Sequence, residues 1–170
     1  MRNFATSTTL AAALAVACTF CLSGCATLKG PPQPGDTVQE VVDKLGSPKD
    51  VYADPDAGKV YAYPQGPYGQ TTWMVRFGAD NLLQTYEQVL TNEKFGLIKV
   101  GRSTRDDVLR TIGRPAERSR VAMHDYEVWS YRYKENGVWN TMMHVHFDQD
   151  GVVRLLQNGP DPMYDRRSFK

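Results

Sequence analysis

Two histidines and two aspartates stand close enough along this chain to do metal chemistry: His144, His146, Asp148 and Asp150. Residues two apart on a strand share a face, so both imidazoles could meet one ion. The run His146-Phe-Asp-Gln-Asp-Gly151 also resembles part of a calcium loop. Such a loop needs carboxylates at its first and twelfth positions, and here those positions hold His146 and Gln157. A hairpin turn accounts for the glycine equally well. We therefore expect no metal and no cofactor, and read the histidines as solvated strand residues. Asp106 and Asp107 form a carboxylate pair in the first turn of a predicted helix, where capping and the helix dipole explain them. No Gly-x-Ser-x-Gly, His-Glu-x-x-His or phosphate-binding glycine loop occurs. The expectation is a protein that is not an enzyme, with no catalytic residue and no small-molecule substrate.

Cysteine chemistry is confined to the beginning. Arg2, the apolar run Leu10 to Leu22 and the small residues Ser23 and Gly24 read as a secretory signal. The run is too short and too poorly flanked for a transmembrane helix. Cys18 and Cys21 lie inside it, which argues against a redox or metal role. Cys25 follows immediately, and its thiol is the side chain suited to thioether formation. Ala26 to Gly35, with Pro31, Pro32 and Pro34, reads as a stiff extended tether.

The bulk charge narrows the partners. The formal net charge is +1, and beyond Cys25 the chain carries 19 basic and 19 acidic residues. That balance argues against general nucleic-acid binding, which needs surplus Lys and Arg against phosphate. Between Lys99 and Arg120 there is a local basic excess that either meets an anionic surface or is a solvated helix face.

The elements that would position any site occur twice. Thr37-Val-Gln-Glu-Val-Val-Asp-Lys-Leu-Gly-Ser-Pro48 aligns with Thr104-Arg-Asp-Asp-Val-Leu-Arg-Thr-Ile-Gly-Arg-Pro115. A threonine followed three residues later by a carboxylate makes a capping box. Val41, Val42 and Leu45, like Val108, Leu109 and Ile112, share one helical face. Glycine ends each helix in a left-handed conformation, and proline blocks restart. After each helix come three predicted strands. In the first unit these are Val60 to Tyr63, Thr71 to Phe77 and Leu82 to Val89. In the second they are Tyr126 to Tyr133, Val138 to Phe147 and Val152 to Gln157. Asn136-Gly137 predicts a tight hairpin, because both residues tolerate positive φ. Asp50 to Lys59 reads as a polar loop, and Asn158 to Lys170 as a loose tail. The expected fold is α+β, with tandem helix-strand-strand-strand units and helices packed on one face of antiparallel sheet. We place a signal at 1–24, the lipidated cysteine and tether at 25–35, the units at 36–91 and 92–157, and the tail at 158–170.

These motifs carry a resemblance. Leu22-Ser-Gly-Cys25 resembles a bacterial lipobox, which implies cleavage before Cys25 and lipidation of it. Ala26, in place of aspartate, implies sorting to the outer membrane. Gly-x-[ST]-x-x-x-Val-x-x-x-Leu-Gly-x-Pro, an aromatic-x-Tyr strand, and a strand ending in Phe before an Asp/Gly turn are similar to the SmpA/OmlA (BamE-like) lipoprotein family. Gly101 to Gln157 match well and Gly35 to Val89 more loosely. The tandem arrangement is similar to the fold of the β-lactamase inhibitor protein. The resemblance implies an outer-membrane lipoprotein facing the periplasm, held in the membrane by acylated Cys25. It would bind envelope proteins such as the β-barrel assembly machinery.

For a protein binder, the sheet face opposite the helices is the candidate. If Trp129, Tyr131, Val145 and Phe147 point inward, then Arg132, Asn140, Met142, His144, His146 and Arg154 point outward, and the first unit adds Met74, Arg76 and Gln84. Such a face suits partner recognition, and it also suits a plain wet sheet. An alternative function is an inhibitor-like module for a β-lactamase or lysozyme type of enzyme, with Pro64 to Gln70 and Tyr68 as its protruding loop.

Overall fold

In the computed structural model, which describes residues 30–54, 58–122 and 124–164, Thr37 and Thr104 cap the two longer helices as their spacing predicts. Helix α1 is Val38–Leu45. The Thr37 amide donates to Glu40 Oε2 at 2.8 Å, and the Glu40 amide returns a bond to Thr37 Oγ1 at 3.3 Å. Strands β1 (Asp50–Asp54), β2 (Gly58–Pro64), β3 (Thr72–Phe77) and β4 (Leu83–Gln88) follow, then a single-turn helix α2 (Asn92–Phe95). Helix α3 (Arg105–Ile112) repeats the cap, with Thr104 and Asp107 exchanging bonds of 2.8 and 3.3 Å. Strands β5 (Glu117–Val121), β6 (Tyr126–Glu135), β7 (Trp139–Phe147) and β8 (Val153–Pro160) complete the chain.

The strands make two four-stranded antiparallel sheets, each in sequential order. Each sheet thus has one strand more than the three the sequence predicts, β1 in the first and β5 in the second. Both are edge strands with polar sequences, Asp-Val-Tyr-Ala-Asp and Glu-Arg-Ser-Arg-Val, and β5 is exposed along its whole length. An edge strand can be polar because one flank and much of its surface stay in water.

The same bonds recur in both halves. Thr37 bridges Leu82, and Thr104 bridges Val152. The Leu83 amide donates to Asp36 O and the Val153 amide to Ser103 O, each at 2.8 Å. A bulge interrupts β3 between Arg76 and Phe77, and β7 between His146 and Phe147. Tyr63 Oη donates to the Gly46 carbonyl at 3.1 Å, and Tyr131 Oη to that of Gly113 at 3.0 Å. Both glycines have φ +81°, with ψ −174° and −168°. The sequence predicted a left-handed cap here. The observed angles instead lie in an extended, positive-φ region open essentially to glycine alone.

Two apolar cores result. One gathers Val41 of α1 with Val75, Phe77 and Leu83, flanked by Tyr61, Tyr63 and Tyr86. The larger gathers Val108 and Ile112 of α3 with Trp129, Tyr131, Tyr133, Val145 and Phe147 of the second sheet. It also takes in Val60, Ala62 and Met74, which alternate with Tyr61, Tyr63 and Val75 and so come from the opposite face of the first sheet.

The ends of the described chain differ from expectation in part. The lipobox lies outside the described residues, as do Ala26 to Lys29 of the tether. From Pro32, which is buried, the segment belongs to the fold, with Gly35 donating to Leu83 O at 2.8 Å. The tail is likewise built in as far as residue 164, because β8 runs to Pro160 and Asp161 is 1% exposed. The chain divides into 1–30 and 31–170, and the elements above all belong to the second unit. Among the described residues, no helix is long and apolar enough to cross a membrane.

Candidate functional site

Alternation along β6 and β7 builds the outer face of the second sheet. Trp129, Tyr131, Tyr133, Val145 and Phe147 point into the core, as expected. Ser130 faces outward beside His144, and Val128 beside His146, in the paired register. His144 Nδ1 lies 2.8 Å from Ser130 Oγ, and the His146 ring meets the Tyr126 ring edge-on at 6.5 Å. Burial lowers the pKa of His144, with Glu117 opposing it; burial and then the neighbouring His144 lower that of His146. Both rings therefore stay neutral to lower pH than a free histidine.

Among the described residues, no group of three or more His, Cys, Asp or Glu is arranged to hold a metal. Asp148 serves the β7–β8 turn. Its Oδ1 accepts from the Val152 amide at 2.9 Å and its Oδ2 from Arg154 Nε at 2.6 Å. That backbone bond, with Arg154 beside it, holds the carboxyl below its usual range. Gly151 has φ +80°, as a turn glycine does.

The face is less open than the alternation predicts. Met142 is 3% exposed and Arg132 is 6% exposed. Arg132 Nη1 donates to Asp161, Nη2 donates to Glu117, and Nε donates to the Pro67 carbonyl at 3.2 Å. Burial opposes its charge, but the two carboxylates outweigh burial and raise its pKa. The C-terminal segment and the β2–β3 loop close over this residue, and strand parity alone cannot report that. On the first sheet, Met74 is fully buried, and Arg76 donates to Asp54 at 2.9 Å and to the Arg110 carbonyl at 2.6 Å. Of the expected recognition residues, Arg154 is exposed and His144 and His146 are half-buried on the outer face; Arg76, Arg132 and Met142 are taken up by internal contacts.

The basic stretch is also largely spent on the protein itself. Arg105 pairs with Glu127 at 2.8 Å, Arg110 with Asp107 at 2.7 Å, Arg114 with Asp50 at 3.3 Å and Arg120 with Asp125 at 3.0 Å. Arg118 covers the Trp129 ring at 4.6 Å. These contacts favour the solvated-face reading over an anion-binding one.

Two strongly exposed apolar residues carry no signal in the strand parity. Trp139 is 68% exposed and Val138 63%, at the tip of the Asn136-Gly137 hairpin. Tyr68, on the loop picked out as protruding, is 69% exposed. Met163 and Tyr164 are exposed beyond Asp161. Cross-bonds tie these segments together: Gln70 Nε2 donates to Asn140 Oδ1 at 2.9 Å, and the Asp161 amide donates to Asn140 O at 3.2 Å. The available signal was the Asn-Gly turn, since a hairpin tip leaves its neighbours in water whatever their parity.

Compared with known families, residues 87–156 match the outer membrane protein assembly factor BamE domain. This stretch of the chain is similar to the BamE domain. It runs from the end of β4 through α2, α3 and β5 to β7 into β8, the half in which the SmpA/OmlA (BamE-like) pattern is fuller. No curated protein matches the chain. Among solved structures, a DUF4309 family protein, YjgB of Bacillus subtilis subsp. subtilis strain 168, shares 16% identity. The likeness covers 74% of this chain and 79% of that one at a TM-score of 0.31, which is too low to support an argument.

Proposed function

We propose that this chain is an outer-membrane lipoprotein, anchored through acylated Cys25 and facing the periplasm, that binds envelope proteins as a non-catalytic component of outer-membrane β-barrel assembly. The match of residues 87–156 to the outer membrane protein assembly factor BamE domain supports this reading. The Leu22-Ser-Gly-Cys25 motif and Ala26 supply the anchor and its destination. Exposed aromatic side chains on tied loops supply a surface of the kind protein partners use.

The first half is a second, diverged BamE-like unit in this reading. Each helix lids the aromatic face of its own sheet, in an arrangement resembling the β-lactamase inhibitor protein. The matched caps, bulges and tyrosine-to-glycine bonds support the duplication.

Fractionation of cells producing the full chain tests the proposal. The wild type is expected in the outer membrane, labelled by fatty acid, and copurifying with barrel-assembly subunits from mild detergent. Cys25→Ser is expected to lose the label and the membrane. A wild-type chain without fatty acid, or one that brings down none of those subunits, overturns the reading.

Exposed Tyr68 on the Pro64 to Gln70 loop favours a second reading, the inhibitor-like module. Inhibition of a β-lactamase or lysozyme that Tyr68→Ala abolishes would support it, and no inhibition at micromolar concentration would remove it.

A further inference from the structure

Two equivalent helix ends meet different neighbours. Gly113, after α3, is buried, and a Cβ there comes within 3.2 Å of Met74 Cε on the first sheet. Gly46, after α1, is exposed, and a Cβ there meets nothing within 4 Å. The preceding residues differ in the same way, since Ile112 is fully buried and Leu45 only half-buried.

The strands under the helices repeat the contrast. Trp129 and Tyr131 are 2% and 1% exposed, whereas their counterparts Tyr61 and Tyr63 are half-buried. Trp73 is 37% exposed on the same face. It pairs with Tyr63 across β2 and β3 and stacks on Tyr86 with ring centres 4.7 Å apart. Tyr61, Tyr63 and Tyr86 all pack against the core beneath α1. An aromatic cluster thus continues from that core into water.

The second half shows what closes such a face. Val60, Ala62 and Met74, on the reverse of the first sheet, join the core of α3. Ala62 pairs with Met74 and Val60 with Arg76, so the four side chains form one compact patch. Arg76 fastens it by donating to the Arg110 carbonyl at the end of α3. Aligning Thr37 with Thr104 puts Asp43 at the position of Arg110. Asp43 is exposed, so an incoming basic group meets a carboxylate there as well as the negative end of the helix dipole.

This chain holds no spare cover of that kind. The first sheet's Val60, Ala62 and Met74 are fully buried, and on the second sheet Val128 and Met142 are 4% and 3% exposed, so a second copy has no bare sheet face to offer. Residues 26–29 and 165–170 are too short to supply two paired strands. An anionic bilayer attracts surplus Lys and Arg. Helix α1 instead carries Glu40 and Asp43 against Lys44, which is paired with Asp36.

We infer that the face formed by Leu45, Gly46, Tyr63, Trp73 and Tyr86 docks a different protein, through a β-sheet surface of small or flexible apolar side chains flanked by an arginine. The partner closes the first half as the first sheet closes the second. The inference rests on the duplicated-unit reading and not on the anchor or on barrel assembly. A chain that copurifies with no barrel-assembly subunit can still pass its test.

The test is amide and indole NMR of the full lipidated chain in phosphatidylethanolamine–phosphatidylglycerol nanodiscs. The probe is a backbone-cyclised hairpin peptide presenting Val, Ala, Met and Arg on one face, arranged as Val60, Ala62, Met74 and Arg76 are. A control peptide has Glu in place of its Met and Arg. The probe is expected to shift Gly46 and the Trp73 indole, and the control to shift neither. Trp73→Ala is expected to weaken the probe about thirtyfold, the scale of an aromatic hot spot, and Trp73→Tyr to recover most of that loss. Asp43→Lys, at an exposed helix position, is expected to weaken it about fivefold with an unchanged melting temperature. It decides the matter if Trp73→Ala melts early. In cells, benzoylphenylalanine in place of the exposed Ser47 is expected to crosslink to paired strands of another protein, and the added Trp73→Ala to abolish the crosslink. Absent probe shifts, equal shifts by the control, or no crosslink overturn the proposal. So do crosslinks to this chain itself, which give the face to a second copy, and broadening of Trp73 by gadolinium-tagged lipid, which gives it to the membrane.

Discussion

Arg76 on the first sheet donates a 2.6 Å hydrogen bond to the carbonyl of Arg110 in the last turn of α3. Carbonyls in a last turn lack helical partners, and a cation there also meets the negative end of the helix dipole. Asp54, at 2.9 Å, holds the same guanidinium in place. One arginine thus links the reverse face of the first sheet to α3, the helix of the second half.

Replacing Arg76 with alanine is therefore expected to cost about 2 kcal/mol, the scale of hydrogen bonds to charged groups. Urea unfolding of the variant measures it. A change inside the ~0.5 kcal/mol common at surface sites would show that the link contributes nothing.

Gly46 and Gly113 share a backbone conformation but not their surroundings. A Cβ on Gly46 meets open space, whereas one on Gly113 comes within 3.2 Å of Met74 Cε and 3.3 Å of Thr72 Cγ2. Alanine at either position strains the backbone by about 1–3 kcal/mol. Gly113→Ala must also push against a packed core, so it is expected to be the more damaging of the two by denaturant midpoint. Equal losses would mean that Met74 and Thr72 give way freely.

Arg132 and Asp161 form a buried ion pair that fastens the C-terminal segment. Removing one member of such a pair strands the other charge, typically at about 3–5 kcal/mol. Glu117 still touches the guanidinium, so Asp161→Ala is expected near the lower end, about 3 kcal/mol. The double variant Arg132→Met, Asp161→Ala is expected to recover much of that loss. A double variant no better than Asp161→Ala would put the cost in packing of the tail rather than in the stranded charge.

Acidification is expected to destabilise the fold in two stages. His144 and His146 titrate below the ordinary histidine value of 6.5, chiefly through burial. As pH falls through about 6.5 the unfolded chain takes up protons first, so stability drops until the folded pKa values are passed. Asp107 and Glu40 titrate below their ordinary carboxylate values, chiefly through the Thr104 and Thr37 amides. Their contribution is present above about 4.5 and is lost as pH falls through the folded values. Melting temperatures between pH 7.5 and 5 should fall for the wild type and flatten for His144→Asn with His146→Gln. A flat wild-type profile over that range would remove the histidine part.

What the sequence by itself determined was local. Thr37 and Thr104 with their carboxylates three residues on, Gly46 and Gly113 at the helix ends, Asn136-Gly137 and the aromatic alternation of β6 each act through neighbours within a few residues, so spacing is enough to read them. What only the tertiary structure decided was pairing and cover. Strands β1 and β5 carry no apolar period, because one flank of each stays in water, and pairing with β2 and β6 makes them strands. Arg132 and Met142 sit at outward parity and are nevertheless buried. Asp161 looked like tail chemistry and became a buried counter-ion, because the chain beyond β8 turns back over the sheet. Met74 follows the same logic, since the reverse face of its sheet is closed by the helix of the other half. Period and parity give the direction in which a side chain leaves its strand, but whether it meets water there depends on a segment distant in the chain.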